Sequence, residues 1–237
     1  MRRIRLRVAY DGTNYCGFQI QPDKPTIEGE LNRALSELTH EDIHIIGASR
    51  TDSGVHAEGN VAVFDTASSI PAARFGRALA PFLPADIRVA AGDEVPADWH
   101  PRKQNCIKTY KYSISCGDFE DPLKRLYCTY SGRELDTEKM RTAAQYLIGE
   151  HDFTSFANPS SQLLMDGGSA VRTIYSIAVE KEAKQKLPYY CEKNDIPHNT
   201  TAQSSVYITV TGNGFLYNMV RIIAGTLINV GNGLWEA

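Results

Sequence analysis

The sequence has no run of about 20 apolar residues, which is the length that a membrane-spanning helix needs. Its N-terminal residues, Met1 to Tyr10, are rich in arginine and lack the apolar core of a secretory signal peptide. We therefore expect a soluble, cytoplasmic protein with no membrane partner.

Cysteine is scarce, and its placement argues against two kinds of scaffold. The five cysteines, at positions 16, 106, 116, 128 and 191, include no pair separated by two residues. Their odd number and wide spacing disfavour both a disulfide framework and a zinc site. With 42% hydrophobic and 22% charged residues, the 237-residue composition is that of an ordinary globular protein with one large domain or two small ones.

Charged residues are almost absent from the C-terminal part of the chain. Between Gln203 and Trp235 there is no Asp, Glu, Lys or His, and Arg221 is the only charged side chain. It lies in an apolar run that predicts a helix buried on more than one side. A buried guanidinium requires a carboxylate partner, and its planar shape favours a bidentate one. The alternative is that Arg221 extends from the edge of the core into solvent.

What the sequence does contain is an aspartate set among small, turn-forming residues. Asp52 lies in the segment Gly47 to Ala57, between two apolar strand-like runs. Small neighbours such as Gly54 let the chain turn tightly and let a ligand approach closely, and loops between rigid elements commonly carry functional residues. Ordinary turn chemistry is an equal alternative for the Asp-Ser-Gly sequence. The isolated charge of Arg221 favours the functional interpretation, in which it pairs with Asp52.

Two segments concentrate positive charge, although the net charge of the chain is −3. The first strand alternates apolar side chains with Arg3, Arg5 and Arg7, which places the arginines on one face. The segment around Tyr110 contains no acid and interleaves cations with aromatic residues. Both patterns suit phosphate contacts and base stacking. A solvated strand face, with tyrosines that pack across strands, is the alternative.

The predicted elements of the first half follow the order βαββαβ. Strands are expected over 3–10, 43–46, 60–64 and 87–91, and helices are expected to begin near Thr26 and Pro71. That order is the split βαβ, ferredoxin-like arrangement. We place the boundary near residue 104, which gives an N-terminal α/β subdomain, 1–104, with the Asp52 loop, and a C-terminal one, 105–237, with the Arg221 helix.

The second half has strands and helices in a similar order. Strands are expected over 106–116, 171–180 and 205–211, with one helix between Asp136 and Gly149 and another around Arg221. The polar stretch 181–203 is interpreted as a long projecting connection. The predicted fold class is therefore α+β, with two ferredoxin-like halves whose mainly antiparallel sheets meet at a central basic cleft.

Five motifs occur in one order along the chain. They are Tyr10 to Gln19, Arg50 to Ala57, Lys108 to Tyr112, His151 to Phe156 and the apolar run Phe215 to Gly225. Together they resemble the TruA family of tRNA pseudouridine synthases, and the resemblance extends from Arg3 to about Gly233.

The resemblance implies an activity and four site residues. Asp52 matches the family's catalytic aspartate, and Arg221 matches the arginine paired with it. Tyr110 matches the tyrosine that packs against the target uracil, while Arg50 would help to hold the RNA strand. The family converts uridine to pseudouridine at positions 38, 39 and 40 of the tRNA anticodon stem-loop, without cofactor or metal and typically as a homodimer.

The chain departs from the family pattern in two places. It ends at Ala237, whereas family members usually continue through a further segment, and its 181–203 connection is longer than usual. This connection is either an added RNA contact or surface decoration, and we favour surface decoration. We also expect His56 and His151 to have structural roles, because the isomerisation needs little acid–base strength.

Two other functions remain open from the residues alone. A nucleoside glycosidase would need a second carboxylate about 5 to 10 Å from Asp52, for which Asp11 and Asp65 are the candidates, although their spacing supports neither. A non-catalytic RNA-binding protein would explain the basic segments and the tyrosines. It would leave the glycine-flanked aspartate and the isolated arginine without a purpose.

Overall fold

The computed structural model describes residues 1–104, 106–185 and 203–237. The chain forms two compact units, Met1–Asn105 and Cys106–Ala237, each with its own mainly antiparallel sheet and its own hydrophobic core. The protein is therefore of the α+β class. Within the described ranges, no helix is long and apolar enough to cross a membrane.

The first unit has the element order that the sequence predicts. Its elements are β1 (Arg2–Tyr10), α1 (Ile27–Thr39), β2 (Ile46–Gly47), β3 (Ala57–Thr66), a 3₁₀ turn (Ala72–Arg74), α2 (Phe75–Leu79) and β4 (Ile87–Val95). The strands pair in the order β2-β3-β1-β4, and every pair is antiparallel. This is a split βαβ unit.

The core of the first unit lies on one face of its sheet. Alternate residues of β1 are fully buried there, and α1 packs against them through apolar residues at helical spacing. Thr26 caps α1, because its hydroxyl accepts a hydrogen bond from Gly29 N at 3.2 Å. At its C-terminal end, β1 leads directly into the segment that contacts the Asp52 loop.

Two elements of this unit are shorter than predicted. The strand expected over 43–46 begins only at Ile46, although Ile43 and Ile45 are buried. Their backbone N–H groups donate to side chains of α1, Ser36 Oγ and Asn32 Oδ1, at 2.9 Å each, so no strand ladder is needed to satisfy them. The second predicted helix is a 3₁₀ turn followed by the five residues of α2.

The interpretation of β1 as a basic stripe is wrong for two of its three arginines. Arg3 forms a bidentate pair with Asp65, at 2.8 and 2.6 Å, and Arg5 forms one with Asp93, at 2.9 and 2.6 Å. Each acid lies directly opposite its arginine in the ladder, on β3 and β4 respectively. These pairs neutralise most of the face, which leaves little charge for phosphate.

The second unit is built around three long strands. Its elements are β5 (Lys108–Cys116), β6 (Thr129–Ser131), α3 (Thr137–Gln145), β7 (Gly149–Asp152), a 3₁₀ turn (Thr154–Phe156), α4 (Gln162–Met165), β8 (Val171–Gln185), β9 (Gln203–Gly212) and α5 (Met219–Gly231). The sheet order is β6-β5-β9-β8-β7, with β5 and β6 parallel and the other pairs antiparallel. Strands β6 and β7 have no counterpart among the elements predicted from the sequence.

The predicted 181–203 connection is partly strand. Lys181 and Glu182 pair with β9 in the ladder, and β8 continues to Gln185. Side-chain contacts explain the polar sequence here, because Lys181 Nζ lies 2.7 Å from Glu134, which precedes α3, and Tyr207 Oη on β9 donates to Glu182 at 3.0 Å. The rest of the predicted connection, 186–202, lies outside the described residues.

The apolar C-terminal helix is buried on one face, not on several as predicted. Helix α5 begins at Met219, after Asn218 in the left-handed conformation with φ of 60°. Arg221 and Gly225 lie on its exposed side. The buried side contains Met219, Ile223, Ala224, Leu227, Val230 and Gly231. Arg221 therefore lies on the exposed side of the helix and not in the hydrophobic core, where its apolar neighbours predicted it.

Candidate active site

Asp52 lies in the loop that connects β2 to β3. Its backbone carbonyl accepts a hydrogen bond from Val55 N at 3.2 Å, which closes a tight turn. Gly54 has φ of 74°, a conformation that glycine adopts without strain. Within the loop, Thr51 is buried, Asp52 is half-buried and Arg50 is exposed. The aspartate is thus presented by a turn whose preceding residue is fixed in the core.

The residues that follow β1 hold this loop on both sides of Asp52. Phe18 N donates to Thr51 O at 3.0 Å, and Gly54 N donates to Tyr15 O at 3.3 Å. The hydroxyl of Ser53 donates to the same Tyr15 carbonyl at 3.2 Å. One neighbouring segment, the 10–18 segment, therefore bonds the carbonyl of the residue before the aspartate, the side chain of the residue after it and the amide of the next residue.

Glycines make this close approach possible. A Cβ on Gly12 would lie 2.1 Å from Val55 O, and a Cβ on Gly17 would lie 2.8 Å from Thr51 O. Both distances are shorter than real Cβ contacts. Packing against the Asp52 loop therefore explains the two glycines of the Tyr10 to Gln19 motif, whose purpose was not predicted from the sequence.

His56 fastens the end of the loop to the same segment. Its Nδ1 lies 3.1 Å from Gly12 N and 2.9 Å from Asp11 Oδ1. This nitrogen accepts from the amide in one tautomer or donates to the carboxylate in the other, but it does not do both at once. Either contact supports the predicted structural role. His151, whose Nε2 lies 3.0 Å from Ile148 O, also contacts backbone.

Two buried polar residues near the loop were missed by sequence reasoning. Tyr10 and Asn60 are 5% and 8% exposed and are hydrogen-bonded to each other, from Asn60 Nδ2 to Tyr10 Oη at 3.2 Å. Tyr10 Oη also lies 2.8 Å from Thr51 Oγ1. Burial raises the pKa of Tyr10, so the phenol stays neutral. The signal available in the sequence was that Asn60, a polar residue, falls at an inward-facing position of a strand.

Arg102 is a further cation that lies against the loop. Its Nε donates to Gly47 O at 2.8 Å. Desolvation at this part-buried position, and then the positive charge of nearby Arg50, lowers the pKa of its guanidinium. Two cations are therefore held near each other at the start of the loop. In the sequence, the signal for Arg102 was the basic composition of residues 101–112.

Tyr110 and Arg221 belong to the second unit. Tyr110 lies on β5 opposite Val210, is half-buried, and packs edge to face against Phe215 with ring centroids 5.2 Å apart. Phe215 precedes α5, whose first turn carries Arg221. The ring partner of Tyr110 therefore lies in the segment after β9 and not on a neighbouring strand, and the tyrosine remains partly exposed.

The structure divides the predicted site residues between the two units. Arg50 and Asp52 share one loop of the first unit, and Tyr110 and Arg221 lie in the second. The pairing of Asp52 with Arg221 stays a prediction. Over the described part of the chain, no three His, Cys, Asp or Glu side chains form a group that could hold a metal ion.

Comparison with known proteins gives one family. A family model described as tRNA pseudouridine synthase matches residues 7–102 and 143–237. tRNA pseudouridine synthase A of Brevibacillus brevis is 42% identical over 233 residues, covering 98% of this chain and 86% of that protein. tRNA pseudouridine synthase A 2 of Clostridium tetani is 43% identical over 232 residues, covering 97% and 84%. The chain therefore belongs to the tRNA pseudouridine synthase family.

Proposed function

We propose that this chain isomerises uridine to pseudouridine in tRNA, with Asp52 as the catalytic carboxylate. The observation that carries the proposal is the Asp52 loop, which hydrogen bonds fix on both sides of the aspartate in a member of this family. Small displacements of a reacting group cost large factors in rate. A rigid turn that leaves one carboxylate partly accessible suits such a reaction.

The chemistry needs no oxidant and no external group. The bond from uracil N1 to the sugar C1′ breaks, the base turns, and a bond from C5 to C1′ forms; C5 loses its proton and N1 gains one. Ionised Asp52 would attack C1′, assist elimination toward a glycal, or add to uracil C6. Each of these routes starts from the carboxylate and not from the acid.

Arg221 is proposed to keep Asp52 in the ionised form. A guanidinium beside a carboxylate lowers its pKa and, through two parallel hydrogen bonds, fixes its orientation. Arg221 lies on the exposed side of α5, so its guanidinium is not committed to the hydrophobic core. Charge pairing would thus serve catalysis and not the folding of α5.

Tyr110 and Arg50 are proposed to bind the RNA. A uridine in a stem must leave the base stack before it reacts, and an aromatic ring offsets part of the cost of a few kcal/mol. Tyr110 offers such a ring, held at its edge by Phe215. Arg50 is exposed beside Asp52, where its guanidinium suits a phosphate of the same strand.

The substrate and the assembly follow from the resemblance. We propose that the chain modifies positions 38 to 40 of the anticodon stem-loop, bound in a basic cleft, and that it acts as a cytoplasmic homodimer. The likeness to a family that does so motivates this proposal. Light scattering at assay concentration tests the assembly, and a monomer mass in an active sample would contradict it.

The activity is tested with tRNA transcripts that carry a single uridine at position 38, 39 or 40. Nucleosides from each digested transcript and any released uracil are quantified together. We expect pseudouridine without uracil, and no product from a matched transcript with cytidine at all three positions. Release of uracil would indicate a glycosidase. Binding without any product would indicate an RNA-binding protein.

A further inference from the structure

Asn60 is a buried polar residue whose hydrogen bonds all lead toward the Asp52 loop or its own strand. It lies on β3 opposite Val8 and is 8% exposed. Its Nδ2 donates to Ser49 O at 3.0 Å, and its Oδ1 accepts from Ser49 N at 3.3 Å and from Val61 N at 2.9 Å. One amide thus holds both polar groups of the residue that precedes Arg50.

The same amide reaches the other side of Arg50 through Tyr10. Asn60 Nδ2 can only donate, so Tyr10 Oη accepts this hydrogen bond at 3.2 Å. The buried phenol proton then needs an acceptor, and Thr51 Oγ1 at 2.8 Å is the one available. The hydrogen bonds therefore run from Asn60 to Tyr10 to Thr51, the residue immediately before Asp52.

These contacts fix Ser49 and Thr51, the residues on both sides of Arg50. Thr51 is also the residue before the aspartate. Apart from the Tyr10 hydroxyl, the 10–18 segment bonds the Thr51 carbonyl, the Ser53 hydroxyl and Gly54 N. Without Asn60, Ser49 would lose both hydrogen bonds to the amide. Thr51 would keep its contacts with Phe18 N and with the Tyr10 hydroxyl, but that hydroxyl would lose the donor that orients it. The orientation of the Asp52 carboxylate depends on that stretch.

We infer that Asn60 is a positioning residue of the active site. Its amide, acting on Ser49 directly and on Thr51 through the Tyr10 hydroxyl, holds the Arg50-Thr51-Asp52 stretch in the conformation that the reaction uses. This inference rests on the proposed function of Asp52. Asn60, a buried strand residue, would then control the rate of the chemical step without touching the substrate.

The inference is tested by two substitutions that break the hydrogen bonds at different points. Asn60→Asp keeps the shape and the acceptor but removes the donor to Ser49 O and Tyr10. Tyr10→Phe removes the hydroxyl without introducing a charge. We expect each to lower kcat about tenfold or more, with KM for tRNA changed by less than about twofold, because the loop is displaced while the RNA-binding surface is kept.

Thr66→Val provides the matched control. Thr66 lies on the same face of β3, six residues away or roughly 20 Å along the strand, and its hydroxyl donates to Glu41 at 2.9 Å. Thr66 is fully buried, and the substitution removes a part-buried hydrogen bond. For Thr66→Val we expect a lower Tm than that of the parent. We expect the same kcat as that of the parent when the two proteins are assayed well below their Tm values.

A second measurement reports on the conformational stability of the loop without an activity assay. Amide hydrogen exchange of the peptide covering 48–56 should be faster in Asn60→Asp and in Tyr10→Phe than in the parent, and unchanged in Thr66→Val. If the parent forms pseudouridine and both loop variants keep its kcat and its exchange rate, the inference is overturned. If the parent itself is inactive on every transcript, the proposed function fails, which is a separate result. Should Asn60→Asp not fold, Tyr10→Phe alone decides.

Discussion

Replacement of Gly12 by alanine tests whether the 10–18 segment fixes the catalytic loop. The added Cβ would lie 2.1 Å from the carbonyl oxygen of Val55, with Val55 C at 2.7 Å. Relief of this overlap requires a separation about 1 Å larger, since carbon and oxygen atoms pack at roughly van der Waals distance. The atoms in the way are backbone, so a side-chain rotation does not relieve the contact. The turn that carries Asp52 must move.

The expected effects are large on activity and moderate on stability. A displacement of about 1 Å at a reacting group can lower the rate on the order of 100-fold. Overpacking of this kind typically costs about 1–3 kcal/mol of the free energy of unfolding. At roughly 2–4 °C per kcal/mol for a protein of this size, Tm should fall by a few degrees.

The assay compares kcat on a tRNA transcript with a thermal melt of the same samples. Gly225→Ala is the stability control, because no atom lies within 4 Å of the position where its Cβ would be, and it lies on the exposed side of α5. That change should raise the free energy of unfolding by roughly 0.5–1 kcal/mol, since alanine favours a helix over glycine. Parental kcat in Gly12→Ala would refute the argument that the 10–18 segment positions the loop.

Three further predictions follow from the charged residues. Arg221→Ala should lower pseudouridine formation with little change in Tm, because Arg221 is exposed; a large drop in Tm with normal activity would contradict its proposed role. Arg50→Ala should weaken tRNA binding and reduce the slope of log affinity against log salt by about 1, and an unchanged slope would show that it contacts no phosphate. Hydrogen bonds from Arg3 lower the pKa of Asp65 below its ordinary value, so this pair stabilises the fold above the unfolded pKa of about 3.9 and the effect disappears as pH falls through the folded pKa. Asp65→Asn should therefore lower Tm by more at pH 7 than at about pH 2, and an equal difference at both values would contradict this.

Much of the first unit could be predicted because its local patterns agree with its packing. The alternation of β1 and the helical spacing of α1 correctly gave their buried faces. The extent of β2 was not predictable in this way, because Ile43 and Ile45 satisfy their N–H groups with side chains of α1 and not with a ladder. The family was predicted correctly from the order of its motifs.

Charge interactions were harder to predict, because they depend on strand register. Asp65 and Asp93 lie 62 and 88 positions from the arginines that they neutralise, and only the ladder places them opposite. Arg221 was expected in the core because its neighbours are apolar, yet the helix buries only one side. Asn60 gave no motif signal, since its role appears only when the loop and Tyr10 are seen around it.

The most direct test of the account is the single-turnover rate of Asp52→Asn. Asparagine keeps the shape of the side chain but removes its negative charge and its nucleophilic oxygen. With tRNA bound at saturation, we expect the rate of pseudouridine formation to fall roughly 10⁴-fold or more, as for loss of other catalytic nucleophiles, with the Kd for tRNA nearly unchanged. A rate within a few-fold of the parent would show that Asp52 is not the catalytic carboxylate.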